Sequence, residues 1–416
     1  MRTLPSAAGL GLVFASLACA SDGGPGPGAN AGDAAPQNEG GSGGEAGTAL
    51  PECTAQRAVH LMAGSGGLAW FTLVWPVPTM IESFEARFAY DNVFFANGDS
   101  TLPPDHPLFT RRVAQRTLWQ NLGKRPSATV LVAGTNQSHT NTPSQRTFAN
   151  GNDTFSLAGA LQASLRAQLP TLSLGRSGLV TRGPVPGVVA DSVEFAIALL
   201  KTNAGISAAQ EAELRPSAAA IDEWTQKSTY TPFRNLAEYL FFTAAAFRLG
   251  LVATVVAPAL EDDPHTAFAD KALLTKRADE LTHTLDSFYD ALSKAVEPRC
   301  TRRRLPVSLA DNVVLVITGD TPKNSFVQQG WPDSTPQNSN WIFARTNGFL
   351  RPGWFGEIKE TTAQGFDGRT GALAATSNKD AALAGILYAI ARGDAAAVSA
   401  VGVTVDYAGL VDPVAP

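Results

Sequence analysis

Short apolar runs recur along this chain, separated by stretches of helical length, and no other feature limits its fold as tightly. The runs are Ala58–Met62, Ala128–Ala133, Thr171–Leu174, Leu251–Ala257 and Asn312–Thr318. Between and after them lie segments with helical spacing. The clearest is Ala267–Val296, where Leu274, Ala278, Leu281, Leu285, Phe288 and Leu292 stand three and four apart and make one apolar stripe. A second helix is expected over Leu236–Leu249, ending at Gly250, a residue suited to the left-handed turn that closes a helix. Others are expected at Leu157–Gln168, Ala208–Gln226 and Lys379–Arg392. Strands alternating with helices predict an α/β domain with a largely parallel sheet and helices on both faces. The Pro- and Gly-rich stretches Gly175–Gly187 and Asp320–Asn340 read as long surface loops.

In an open parallel sheet, ligands sit beyond the carboxyl ends of the strands, so the residues after each run are the first candidates for chemistry. Ala63-Gly64-Ser65-Gly66-Gly67 follows the first run, and Gly134 through His139 follows the second. Glu261 through Thr266 follows the fourth, and Gly319-Asp320-Thr321 the fifth. In Asp263-Pro264-His265 a carboxylate and an imidazole flank a stiff residue, a combination suited to a divalent ion such as zinc; a solvated acidic turn with a helix cap is the other reading. His139 could orient an anionic substrate or bind metal, or serve its own turn. Asp320 could supply a metal ligand and Thr321 a hydroxyl nucleophile, or Asp320 could stabilise the turn. Ser65 is a second candidate nucleophile, but it lacks the G-x-S-x-G frame of a nucleophile elbow. His60 within a strand, His106 in a Pro-rich loop and a solvated His283 read as structural. Trp331, Trp341 and Trp354 could stack on sugars, or anchor loops and core.

The N-terminus predicts export. Arg2 precedes the apolar stretch Leu10–Ala18, which is too short to span a bilayer, and Cys19 follows directly. Residues 1–18 read as a signal peptide and Cys19 as a lipid-attachment site, although Ser16 stands where a large aliphatic residue is preferred. Ser21 to Thr48 is rich in Gly, Ala, Pro, Asn and Ser and contains no Lys, Arg or aromatic residue, so residues 19–50 are expected to form a disordered tether ahead of a single domain over 51–416. The membrane is then a partner through the anchor, and the location is the cell envelope, in the outer membrane or the periplasm. With Cys19 used by lipid, Cys53 and Cys300 are the thiols left in an oxidising compartment and are expected to pair; two free buried thiols are the other reading. The net charge of −5 argues against nucleic acid as a partner.

The order of these motifs resembles that of exported bacterial proteins of the domain of unknown function 1501 family, which are similar to the alkaline phosphatase and sulfatase superfamily. The resemblance runs from about Ala58 to Arg392. It takes in the turn Ala63–Leu68, the loop from Ser138-His139 to Asn150-Gly151, Asp263-Pro264-His265 before a long helix, the strand and loop Val313–Thr321, and Phe366-Asp367-Gly368-Arg369-Thr370-Gly371. It implies an alkaline phosphatase-like fold and, in an active member, hydrolysis of phosphate or sulfate esters with a divalent metal, zinc or calcium. The departures fall on the chemistry. Gly66 stands where the family carries an Asp, Thr318 through Lys323 replaces its Ser-Glu-Phe-Gly-Arg-Thr, and Ser339-Asn340 replaces its Asp-His pair. Such hydrolases need several carboxylates and imidazoles around each ion. The sequence therefore predicts a degenerate domain with a binding or structural role, its ligand an anionic small molecule or a glycan. A working hydrolase would use Asp263, His265 and Asp320 as metal ligands and Thr321 or Ser65 as nucleophile.

Overall fold

A computed structural model describes residues 50–63, 128–135, 146–175, 182–259, 271–319, 339–351, 353–358, 361–375 and 378–411. All fall in one unit, Ala49–Pro416. The expected signal, Cys19 and most of the tether lie outside the described residues.

Eight strands form the main sheet: β1 (Arg57–Ala63), β2 (Ala128–Thr135), β3 (Leu169–Leu174), β4 (Val188–Ala190), β5 (Val252–Pro258), β6 (Val313–Gly319), β7 (Ser339–Arg345) and β8 (Gly353–Phe355). Their order across the sheet is β4-β3-β5-β1-β6-β7-β2-β8. Every pairing is parallel except the two made by β7, which runs against β6 and β2. The five apolar runs are thus β1, β2, β3, β5 and β6. The central strands β5 and β6 are buried along almost their whole length, which is why they read as continuous Val-, Ile- and Leu-rich runs. Three short strands, β9 (Glu357–Ile358), β10 (Ala363–Phe366) and β11 (Leu373–Ala374), make a small second sheet.

Helices cover both faces. One face packs against α2 (Val193–Ala204), α3 (Ala208–Leu214), α4 (Ala218–Trp224), α5 (Thr231–Arg248) and α6 (Lys271–Ser293). The other packs against α1 (Thr154–Leu161), α7 (Lys379–Ile390) and α8 (Ala395–Ala400). The period of two along each strand divides the core: Val59 and Leu61 of β1 face the first layer, and Ala58 and Met62 the second. Leu285, Phe288 and Leu292 of the expected α6 stripe are buried in the first layer. Gly250, at φ +68, closes α5 as its position suggested.

Several expectations need correction. The single helix expected over Ala208–Gln226 is two helices, α3 and α4, because Pro216 cannot continue the first and Ser217 caps the second through the Ala220 amide. The helix expected to reach Gln168 stops at Leu161 and tightens into a 3-10 turn, since the chain must turn into β3 at Leu169. The expected loop Asp320–Asn340 gives way at Ser339 to the buried strand β7. His283 is not merely solvated: its Nε2 lies 3.0 Å from the carbonyl oxygen of Glu223 in α4.

Candidate functional site at the carboxyl edge of the sheet

Because β1, β2, β5 and β6 run the same way, their last residues, Ala63, Thr135, Pro258 and Gly319, end at one edge of the sheet. The antiparallel β7 begins there, with Ser339 opposite Thr135. The segments carrying Ser65, His139, Asp263, His265, Asp320 and Thr321 leave from this edge, but those six residues lie outside the described residues, as do His106 and Trp331. Trp341 is buried in β7 as part of the core and is not a loop ring. Among the described residues no group of three or more His, Cys, Asp or Glu is placed to hold a metal ion.

Just beneath the edge, on the face covered by α1, lies a buried polar cluster that sequence reading missed. Asn150 and Gly151 make a tight turn, with Gly151 at φ +85, and fold residues 146–153 back on themselves. That turn brings Arg146 beside Asp153, with Nη2 2.7 Å from Oδ2 as an ion pair that is off the line of a hydrogen bond. Both side chains are almost wholly buried. Asp153 Oδ1 also accepts from the Phe155 amide at 2.8 Å and so caps α1. Burial pushes the Asp153 carboxyl up, against the pull of Arg146, and pushes the Arg146 guanidinium down. The one available signal was an Asp directly before a helix that follows an Asn-Gly turn.

His60 of β1 completes the cluster. Its ring stacks on Phe155 at 4.4 Å between centroids, and its Nε2 lies 2.8 Å from Thr318 Oγ1 near the end of β6. Its Nδ1 is buried without a hydrogen-bond partner. The tautomer with Nε2–H donating to Thr318 leaves that Nδ1 as a bare acceptor, which costs less than a stranded N–H. Burial, and then the nearby Arg146 charge, hold the imidazole well below its usual value. The same strand end is pinned from β7, where buried Asn340 donates from Nδ2 to the Gly319 carbonyl at 2.8 Å and accepts the Trp341 amide on Oδ1 at 2.8 Å.

The sign of the His60 effect on stability follows from the depressed native pKa. Below about pH 6.5 an unfolded imidazole takes a proton that the folded one refuses, so stability is complete above that pH and is lost as the pH falls. Asp153 acts oppositely and lower: its raised native pKa makes the folded state take up the proton first, which adds stability as the pH nears the ordinary carboxylate range. His60→Gln, neutral at every pH and able to reach Thr318, should flatten the decline between about pH 6.5 and pH 5. Urea midpoints of both proteins across that range check it; parallel pH curves would contradict it.

Phe366–Gly371, part of the family resemblance, is a structural turn. Asp367 Oδ1 accepts from the Thr370 hydroxyl, the Thr370 amide and the Arg369 amide, and these bonds, the hydroxyl's first, lower its pKa. Gly368 packs so closely that a Cβ there would come within 2.1 Å of the Asp406 carbonyl oxygen. Comparison with models of known families and with curated proteins finds no match to this chain.

Proposed function

We propose that this chain is a lipid-anchored protein of the cell envelope whose alkaline phosphatase/sulfatase-like domain binds a ligand at the carboxyl edge and has lost hydrolytic chemistry. Asn340 carries the reading. At the position where the resemblance expects an acid-imidazole pair, its amide is neutral, buried and committed at both ends to backbone groups. A side chain used in this way offers no charge to a cation, and its acceptor oxygen already takes a backbone amide. The buried Arg146–Asp153 pair acts alike, because its carboxylate is spent on a guanidinium and a helix cap. The ligand would be an anionic small molecule or a glycan, with His139 its first candidate contact. The buried bridge between Cys53 and Cys300 supports export, since disulfides persist in oxidising compartments.

A second reading, a metal-dependent hydrolase of phosphate or sulfate esters, is favoured by the common edge at which β1, β2, β5 and β6 end. It would use Asp263, His265 and Asp320 as ligands and Thr321 or Ser65 as nucleophile. Assays of the purified chain on aryl phosphates and aryl sulfates with added zinc, manganese or calcium separate the two. The binding reading expects no turnover above the heat-inactivated protein. Turnover that Asp263→Asn abolishes would overturn it.

A further inference from the structure

The amino edge of the sheet carries a second surface, independent of the carboxyl edge. Residues 295–309 leave the fold between α6 and β6, and their tip is a two-residue hairpin closed by reciprocal backbone bonds of 2.9 Å between Arg302 and Leu305. The turn residues are Arg303 at φ 49 and Arg304 at φ 64. Such a turn favours Asn and Gly, and non-glycine residues with positive φ are strained there. Both arginines are exposed. The fold thus accepts strain here while displaying two guanidinium groups to solvent.

The surroundings make this a patch. Thr301 accepts the Cys53 amide and donates its own to the Pro51 carbonyl, each at 2.8 Å, so the arginine hairpin lies against residues 50–53. Leu50 is where the N-terminal segment joins the folded unit. Of six exposed large apolar side chains among the described residues, three lie on these paired segments: Leu50 at 47%, Val296 at 53% and Leu305, beside the arginines, at 66%. Arg392 adds a half-buried cation, its pKa lowered by burial first and then by the nearby Arg302, with Glu52 and Asp311 the acids that face it; Glu52 Oε1 also accepts the Arg303 amide at 2.6 Å. Arginines flanked by exposed aliphatic side chains, on a chain of net charge −5, form a local site complementary to a surface that is anionic and apolar just beneath.

We infer that the Arg302–Leu305 hairpin, with Leu50 and Val296, docks this domain onto an anionic lipid surface. Arg303 and Arg304 would meet lipid phosphates, and Leu305 would enter the headgroup boundary. The contact needs no acyl chain; beside a lipid anchor it would add to the attachment and orient the domain on the membrane. It would hold the amino edge against the bilayer and leave the carboxyl edge facing away.

The test uses the chain from Ala20 onward, which carries neither the expected apolar signal nor Cys19, so that no leader and no lipid modification contributes. Co-sedimentation is measured with vesicles of phosphatidylcholine alone and with phosphatidylglycerol mixed in. The protein should sediment with the anionic vesicles alone and be released by salt. Arg303→Asn with Arg304→Gly suits the turn better, so it should melt at the same temperature or higher while its vesicle affinity falls about 25-fold, at about fivefold per arginine lost. Equal affinity for both vesicle types, no binding to either, or a variant that binds like the parent would overturn the proposal. Retention on heparin without vesicle binding would overturn it too, by showing a general polyanion surface.

Discussion

Glu297→Ala should lower the unfolding free energy by about 3–5 kcal/mol, the largest loss expected from a single side chain in this protein. Glu297 and Arg57 are both fully buried. Their bond is bidentate, with Nη2 2.6 Å from Oε1 and Nε 2.8 Å from Oε2. Glu297 also accepts the Arg299 amide at 3.1 Å and the Asn312 side chain at 3.2 Å. Arg57 donates to the Val252 carbonyl and lies over the Phe247 ring at 5.4 Å. Removing the carboxylate strands a guanidinium under the amino edge of the sheet, where one backbone acceptor and one ring are poor replacements. The cost lies in the unpaired charge more than in the lost bond. Arg57→Met combined with Glu297→Leu should therefore recover most of the loss. Urea unfolding of both variants checks this; a double variant as unstable as Glu297→Ala would show that packing dominates.

Breaking the bridge between Cys53 and Cys300 should cost about as much, 3–5 kcal/mol, for a different reason. The bridge spans 247 positions of sequence, so the unfolded chain loses a large loop entropy while the bond is intact. It is buried with Ala55, Leu165, Ala253 and Val307, a small apolar cluster away from the two main cores. Cys53→Ala with Cys300→Ala keeps that site apolar, so the change reads the lost cross-link. A thermal melt of the double variant beside the oxidised and reduced parent should put the variant and the reduced parent together, well below the oxidised protein. Coincidence of all three would show that backbone bonds at Thr301 already hold the segment.

What was legible in the sequence follows from where the information lies. Strands β5 and β6 and the stripe of α6 are local patterns of burial, so periodicity alone reveals them. Strand β7 was missed because Ser339-Asn340-Trp341 opens on two polar residues after a Pro-rich stretch. Their burial comes from the Asn340–Gly319 bond, a contact between two strands that no single run displays. Pro216, by contrast, was visible, and the split between α3 and α4 should have been read from it. The bridge was legible because its two cysteines were those left over once the N-terminus is read as an export signal with Cys19 lipidated. The Arg146–Asp153–His60 cluster was not, because it draws on a turn, a helix cap and a strand that meet only in the folded sheet. The arginine hairpin hid for a related reason: its charges are plain in the sequence, but its positive φ angles and its contact with residues 50–53 are properties of the fold.

Elemental analysis of the purified chain, after equilibration with zinc, manganese or calcium and removal of excess ion, tests the proposed loss of metal-dependent chemistry at the carboxyl edge. Far less than one equivalent of any of these metals should remain bound. One or two tightly held equivalents, lost on changing Asp263 and His265 to Ala, would contradict it and restore the hydrolase reading.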